Sequence, residues 1–86
     1  MKIPDTIAAH EYSIRHETQL RESDLCGCFY CLHIFLPGEI EEWIDEPDTT
    51  ERTALCPDCL IDSVIGSQSG FPITPEFLEK MQKQWF

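Results

Sequence analysis

The chain has 86 residues, 42% of them hydrophobic and 10% aromatic, which is enough for one small folded domain. Six Lys and Arg stand against sixteen Asp and Glu, a formal charge of −10, which disfavours both nucleic acid and anionic membrane surfaces as partners. No run approaches the ~20 apolar residues of a membrane span, and the opening M-K-I-P-D-T-I-A-A-H-E lacks the apolar stretch of a secretory signal, so a cytoplasmic, reducing location is expected.

In chain order, Asp5 or Thr6 is placed to cap a first helix over about residues 6–22. Ala9, Tyr12, His16 and Leu20 recur at helical spacing, and Glu11–Arg15 and Glu17–Arg21 are i,i+4 pairs. The apolar stripe is thin, so this helix depends on tertiary support. Ser23-Asp24 ends it just before a cluster of cysteines. After that cluster, Pro37 suits a first helical position with Glu39 in the first turn. Ile40, Trp43 and Ile44 are expected to face inward, on a short helix or on a turn leading into a strand. D-E-P-D-T-T-E-R reads as an exposed loop. Thr53-Ala54-Leu55 reads as a short strand, paired with Trp43-Ile44-Asp45.

Pro57 is well placed to begin a helix carrying Leu60, Ile61, Val64 and Ile65, with Gly66 as its stop. G-S-Q-S-G-F-P is a loop. Thr74-Pro75-Glu76 then supplies a cap, a first-turn proline and an acid for a last helix over about residues 75–86. Phe77, Leu78, Met81 and Trp85 form its apolar face. Tyr12, Phe29, Phe35, Trp43, Phe77 and Trp85 are expected to supply most of the apolar mass of the core.

Chemistry concentrates in the cysteines. C-G-C-F-Y-C spans Cys26–Cys31 and C-P-D-C spans Cys56–Cys59. An odd number of cysteines in a reducing compartment argues against a disulfide framework. Cys28-x2-Cys31 and Cys56-x2-Cys59 each let a tight turn present two sulfurs to one ion. Together they offer four soft donors in a tetrahedron, the usual arrangement of structural zinc, with iron as the alternative metal. Four thiolates leave no position for water, so no catalysis is expected of such an ion. Cys26 is the spare: a small residue at a helix end, a free thiol, or a substitute for Cys28 in a Cys-x4-Cys turn.

The run C-G-C-F-Y-C-L-H-I-F-L-P-G-E-I-E-E-W, followed by T-A-L-C-P-D-C-L-I-D-S-V-I-G-S and G-F-P-I-T-P-E-F-L-E-K-M-Q-K-Q-W-F, resembles a family of small bacterial cytoplasmic proteins of unknown function. The resemblance covers most of the chain. It implies a zinc-ribbon or treble-clef site at Cys28, Cys31, Cys56 and Cys59, and a bacterial cytosolic origin; it implies no biochemical activity. C-P-D-C-L departs from the family's C-P-Y-C-G, which bears on the turn after Cys59 and not on the ligands.

The resulting expectation is one α+β domain over residues 1–86: a zinc-bound treble-clef-like or ribbon-like core over about residues 26–66, flanked by N- and C-terminal helices. Its function is read as a non-catalytic module that binds a protein partner. Rubredoxin-like electron transfer is the alternative. Against it stand Leu32 and Leu60, which occupy the positions after the second cysteine of each turn where rubredoxins carry glycine. A glutaredoxin-like thiol centre at C-P-D-C would need most of a sheet to follow it, and only 27 residues follow Cys59. An HNH-like nuclease would need a histidine in the strand-to-helix segment, where none of His10, His16 and His33 lies. His16 reads as a packed residue. His33 reads as an ordinary surface or packed histidine, or as a donor near the site. Asp62 and Ser63, adjacent after the second turn, point about 100° apart on a helix and have no accompanying base.

Overall fold

Residues 4–86 are described by a computed structural model. The expected N-terminal helix is in fact two short ones. Helix α1 covers Asp5–His10 and runs into a 3₁₀ turn at Glu11–Ser13; α2 covers Glu17–Arg21. The break has a local and a remote cause. Ser13 Oγ donates to the His10 carbonyl at 2.6 Å, a side-chain bond that competes with helix continuation. Arg15 then adopts a left-handed φ of 50°, and the backbone N–H groups of Arg15 and His16 donate to Thr53 Oγ1 (2.9 Å) and to the Arg52 carbonyl (3.1 Å). Glu11–Arg15 therefore forms no ion pair. Glu17 pairs with Arg21 at 2.8 Å and also with Arg52 at 2.7 Å, tying α2 to the middle of the chain.

Strand β1 (Cys26–Cys28) is the centre of a three-stranded antiparallel sheet. On one side it pairs with β2 (Ile34–Phe35), and a short pair, β3 (Trp43–Ile44) with β4 (Thr53–Ala54), packs nearby as its own ribbon. The expected β3–β4 pairing is present, in the register Trp43 with Ala54 and Ile44 with Thr53. The Pro37 helix is reduced to a 3₁₀ turn, Pro37–Glu39, whose Glu39 carboxylate accepts from the Leu36 N–H at 2.7 Å.

The largest departure follows Cys59. In place of a helix carrying Leu60 to Ile65, the chain turns through Leu60 at φ 60° and forms β5 (Val64–Gly66), antiparallel to the other edge of β1. The β-branched Val64 and Ile65 suit this fully buried strand. Gly66 is not a helix stop. A Cβ there would sit 2.8 Å from Leu20 Cδ2 and closer still to Ser23 Oγ, so glycine is what lets α2 lie against the sheet.

The sheet divides two apolar clusters, because alternate side chains leave opposite faces. Cys26, Cys28 and Val64 join Leu20, Phe35, Ile40, Ala54 and Cys56 on one face, with Trp43 packed against them. Ile65 joins Ala9, Phe29, Phe77, Leu78 and Met81 on the other. On that second face a Cβ on Gly27 would lie 2.9 Å from Leu78 Cδ1, so the missing side chain admits α3 (Pro75–Trp85). The start of α3 is as expected: Thr74 Oγ1 accepts from the Phe77 N–H at 3.2 Å, and Pro75 and Glu76 follow. Of the aromatics expected inside, Phe29, Phe35 and Phe77 are buried and Trp43 is half-buried. Tyr12 and Trp85 are partly exposed and outside the buried core, as is Ile44. The architecture is α+β, and among the described residues no helix is long and apolar enough to cross a membrane.

Candidate metal centre

Two turns of identical construction face each other at one end of the sheet. In the first, Cys28–Leu32, the Leu32 N–H donates to the Cys28 carbonyl at 2.9 Å and the Cys28 N–H donates to the His33 carbonyl at 3.0 Å. In the second, Cys56–Leu60, the Leu60 N–H donates to the Cys56 carbonyl at 2.9 Å and the Cys56 N–H donates to the Ile61 carbonyl at 3.0 Å. Each turn closes through a leucine in the left-handed region, Leu32 at φ 67° and Leu60 at φ 60°. The repeat in the sequence is thus C-x-x-C-L, one residue longer than the cysteine pair. The absence of glycine does not prevent the turn, so the contrast drawn with rubredoxin at these two positions falls away. The cost of a left-handed L-residue is ~1–2 kcal/mol.

The four sulfurs of Cys28, Cys31, Cys56 and Cys59 all lie within 4.8 Å of one another. Across the two turns, Cys28 Sγ is 3.7 Å from Cys59 Sγ and Cys31 Sγ is 3.6 Å from Cys56 Sγ. Four zinc–sulfur bonds of ~2.3 Å in a regular tetrahedron place sulfurs about 3.8 Å apart, so the donor set fits a tetrahedral ion of that size. All five cysteines are free thiols. Cys26 stands outside the group; it is fully buried, with its sulfur 4.0 Å from the Leu20 carbonyl, and burial pushes its thiol up to about 12.

The backbone points its N–H groups at the sulfurs, as knuckle turns do. Tyr30 and Cys31 donate to Cys28 Sγ at 3.3 and 3.5 Å, Asp58 donates to Cys56 Sγ at 3.4 Å, and the N–H groups of His33 and Ile61 face Cys31 and Cys59. Cys28 also has the hydroxyl of Ser63, at 3.0 Å and itself buried, as a third donor. Burial alone would raise the Cys28 thiol, but Ser63 and the neighbouring N–H groups carry it below the ordinary value. Burial leaves Cys31 far above the thiol range and Cys59 at about 11. Before an ion binds, therefore, burial opposes ionisation of Cys31 and Cys59, while the donors around Cys28 favour its thiolate.

In the sequence Ser63 reads as a nucleophile without a base; in the structure it lies against Cys28. The signal is the pairing of Val64 with Cys28, which brings the residue before Val64 alongside β1. No helix N-terminus forms at Cys-Pro-Asp-Cys, as thiol activation of the glutaredoxin kind requires. His16 is a buried packing residue, bonded through both ring nitrogens. His33 is exposed and stacks on Phe35, ring centroids 5.5 Å apart. With Glu39, Glu41, Pro57 and Asp58 it lines an open acidic cleft of about 410 Å³ beside the second turn.

Comparison of the chain with known protein families, characterised proteins and solved structures finds no match.

Proposed function

We propose that the chain is a non-catalytic protein-interaction module of the bacterial cytoplasm, held together by one zinc ion on Cys28, Cys31, Cys56 and Cys59. The observation that carries this reading is the meeting of two identical C-x-x-C-L turns, with sulfurs 3.6 and 3.7 Å apart across them. Both turns lead into strands, which favours a zinc-ribbon-like core over a treble clef, whose second cysteine pair opens a helix. When bound, the ion supplies a crosslink and neutralises thiolate charge; four protein sulfurs leave it no open position for substrate. The crosslink joins β1 and β2 to the segment before β5, and the rest of the fold packs on that junction. The acidic surface, −10 overall, favours a protein partner over a phosphate backbone.

The double turn also admits a second reading. Left-handed closure at Leu32 and Leu60 and N–H donors to the sulfurs make a site that iron also fills, and iron there would carry one electron. Metal analysis of protein purified without added metal separates the two. One equivalent of zinc and a colourless protein supports the first; a coloured protein with one equivalent of iron supports the second. A folded protein that keeps neither metal overturns both.

A further inference from the structure

A second cavity, of about 250 Å³, lies behind the first cysteine turn, where α1, α3 and the segment before β5 converge. Its apolar walls are aromatic rings and Ile14. Phe29, Trp85 and Phe86 line it, with His10 stacked on Trp85 at a centroid distance of 3.9 Å. The Phe29 and Phe86 centroids are 5.9 Å apart, and Tyr30 meets Phe86 edge-on from outside at 4.8 Å. Two bonds hold the walls in place. The Trp85 indole N–H donates to the Thr6 carbonyl at 2.9 Å, and Gln82 Nε2 donates to the Tyr30 carbonyl at 2.7 Å. Trp85 and Phe86 nevertheless remain 38% and 59% exposed.

The polar side of the cavity is Ser13, Asp62 and Ser63. Ser63 is engaged with Cys28, but the Asp62 carboxylate is exposed and makes no ion pair among the described residues. No Lys or Arg lines the cavity. Aromatic faces with one carboxylate form a cage for a weakly hydrated cation, whose charge the ring quadrupoles and the acid both attract. The volume is below the ~300–1,000 Å³ of sites for drug-sized molecules, so it suits a single head group.

We propose that this cavity binds an alkylated ammonium group, its methyls against Trp85, Phe86 and Phe29 and its charge toward Asp62. Such a group is carried by small quaternary amines of the choline type and by trimethylated lysine side chains. The site is independent of which metal the cysteines hold.

The test is a titration of the metal-loaded full chain followed by ¹H–¹⁵N correlation spectra. The chain has two tryptophans. The indole of Trp85 reports on the cavity, and that of Trp43, with the guanidinium groups of Arg21 and Arg52 4.9 and 5.5 Å from its ring centroid in the other cluster, is the control. Choline and a short trimethyl-lysine peptide are the two cationic probes; 3,3-dimethylbutan-1-ol is the neutral isostere of choline. A saturable shift at Trp85 but not at Trp43 is expected, and the cationic probe that binds tighter identifies the source of the group. The neutral isostere is expected to bind at least tenfold more weakly. Asp62→Asn and Phe86→Ala, both at exposed positions, are each expected to weaken the cation several-fold while leaving the ligand-free spectrum folded. Equal affinity for the neutral isostere, no saturable shift from either cation at millimolar concentration, or an Asp62→Asn variant that binds as the parent does overturns the proposal.

Discussion

The Ser63 hydroxyl lies 3.0 Å from the sulfur of Cys28, and both side chains are buried. A donor at that distance lowers the charge on the sulfur and favours its thiolate form, so it acts on the metal through its ligand. Replacing Ser63 by Ala removes the donor and leaves no polar group stranded. We expect metal affinity to fall about 10–100-fold, the usual range for such partners, with stoichiometry kept at one. Competition with a chromophoric chelator measures the affinity. The absorption of the cobalt-substituted protein gives a second readout, since its sulfur-to-metal band reports on the ligand's electron density. Unchanged affinity together with an unchanged cobalt spectrum would show that the contact does nothing for the ion.

The cysteines themselves are separable by position. Cys28→Ala and Cys59→Ala each remove a sulfur from the group of four, whereas Cys26→Ala removes a buried thiol that points at Leu20. A core of this size rarely supplies more than ~3–5 kcal/mol, and a structural zinc site contributes on the order of 10 kcal/mol at neutral pH. The first two variants are therefore expected to lose stoichiometric metal and cooperative melting together. Cys26→Ala is expected to bind one equivalent and melt cooperatively, lowered by ~1 kcal/mol for the lost burial. Side-by-side melting with metal analysis decides: if Cys26→Ala loses the ion while Cys28→Ala keeps it, the donor set is wrong.

Leu32 and Leu60 close the two turns with the same left-handed backbone, but their side chains differ in surroundings. Leu60 is 57% exposed, while Leu32 packs against the cluster of Phe29 and Leu78. Glycine at either site relieves ~1–2 kcal/mol of left-handed strain and adds ~0.5–1 kcal/mol of unfolded-state entropy. Leu60→Gly should therefore raise stability by roughly 0.5–1 kcal/mol, or a few degrees in the melting temperature. Leu32→Gly also gives up apolar contact, and its balance should be negative. Melting of both variants in the metal-loaded form tests this; shifts of the same sign would mean that side-chain packing is not what distinguishes the two turns.

Where the fold was legible in the sequence, the cause was local. Thr74-Pro75-Glu76 carries its own cap, and the residues of C-x-x-C close their turns through bonds within six positions. Where it was not, the deciding partner was distant. The periodicity of Ala9, His16 and Leu20 places all three inside, yet the chain between them is held by Arg52 and Thr53, some 38 residues away. Ile61 to Ile65 reads I-D-S-V-I, a short segment whose three apolar residues suit helix or strand alike. The left-handed Leu60 and the open edge of β1 made it a strand. Gly66 looked like a stop because its real constraint, the close approach of Leu20 and Ser23, belongs to another element.

His16 ties α2 to β4 and gives the fold a pH dependence of its own. The ring is 3% exposed. The Ala54 N–H can only donate, so Nε2, 3.0 Å away, accepts with its lone pair; Nδ1 then carries the proton and donates to the Tyr12 carbonyl at 2.6 Å. Both nitrogens are satisfied only in the neutral ring, since a second proton would face the Ala54 N–H. Burial holds His16 below its ordinary 6.5, against the opposing pull of the Tyr12 carbonyl and Glu51. As pH falls below about 6.5, the unfolded chain takes up this proton before the folded one does. The contribution of His16 is therefore complete above pH 6.5 and is lost as pH falls toward its lowered folded value. Glu17, held at about 2 by Arg52 and then Arg21, acts in a separate window, from about 4.5 downward. Protonation of the metal's cysteines also weakens the fold in acid, so the informative quantity is a difference. His16→Gln keeps an acceptor for Ala54 but has no proton to gain. It should be less stable than the parent at pH 7.5 by ~1–3 kcal/mol, and the gap should narrow between pH 6.5 and 5. Denaturant melts of both metal-loaded proteins across that range measure it, and a gap that stays constant would mean that the buried ring does not titrate with folding.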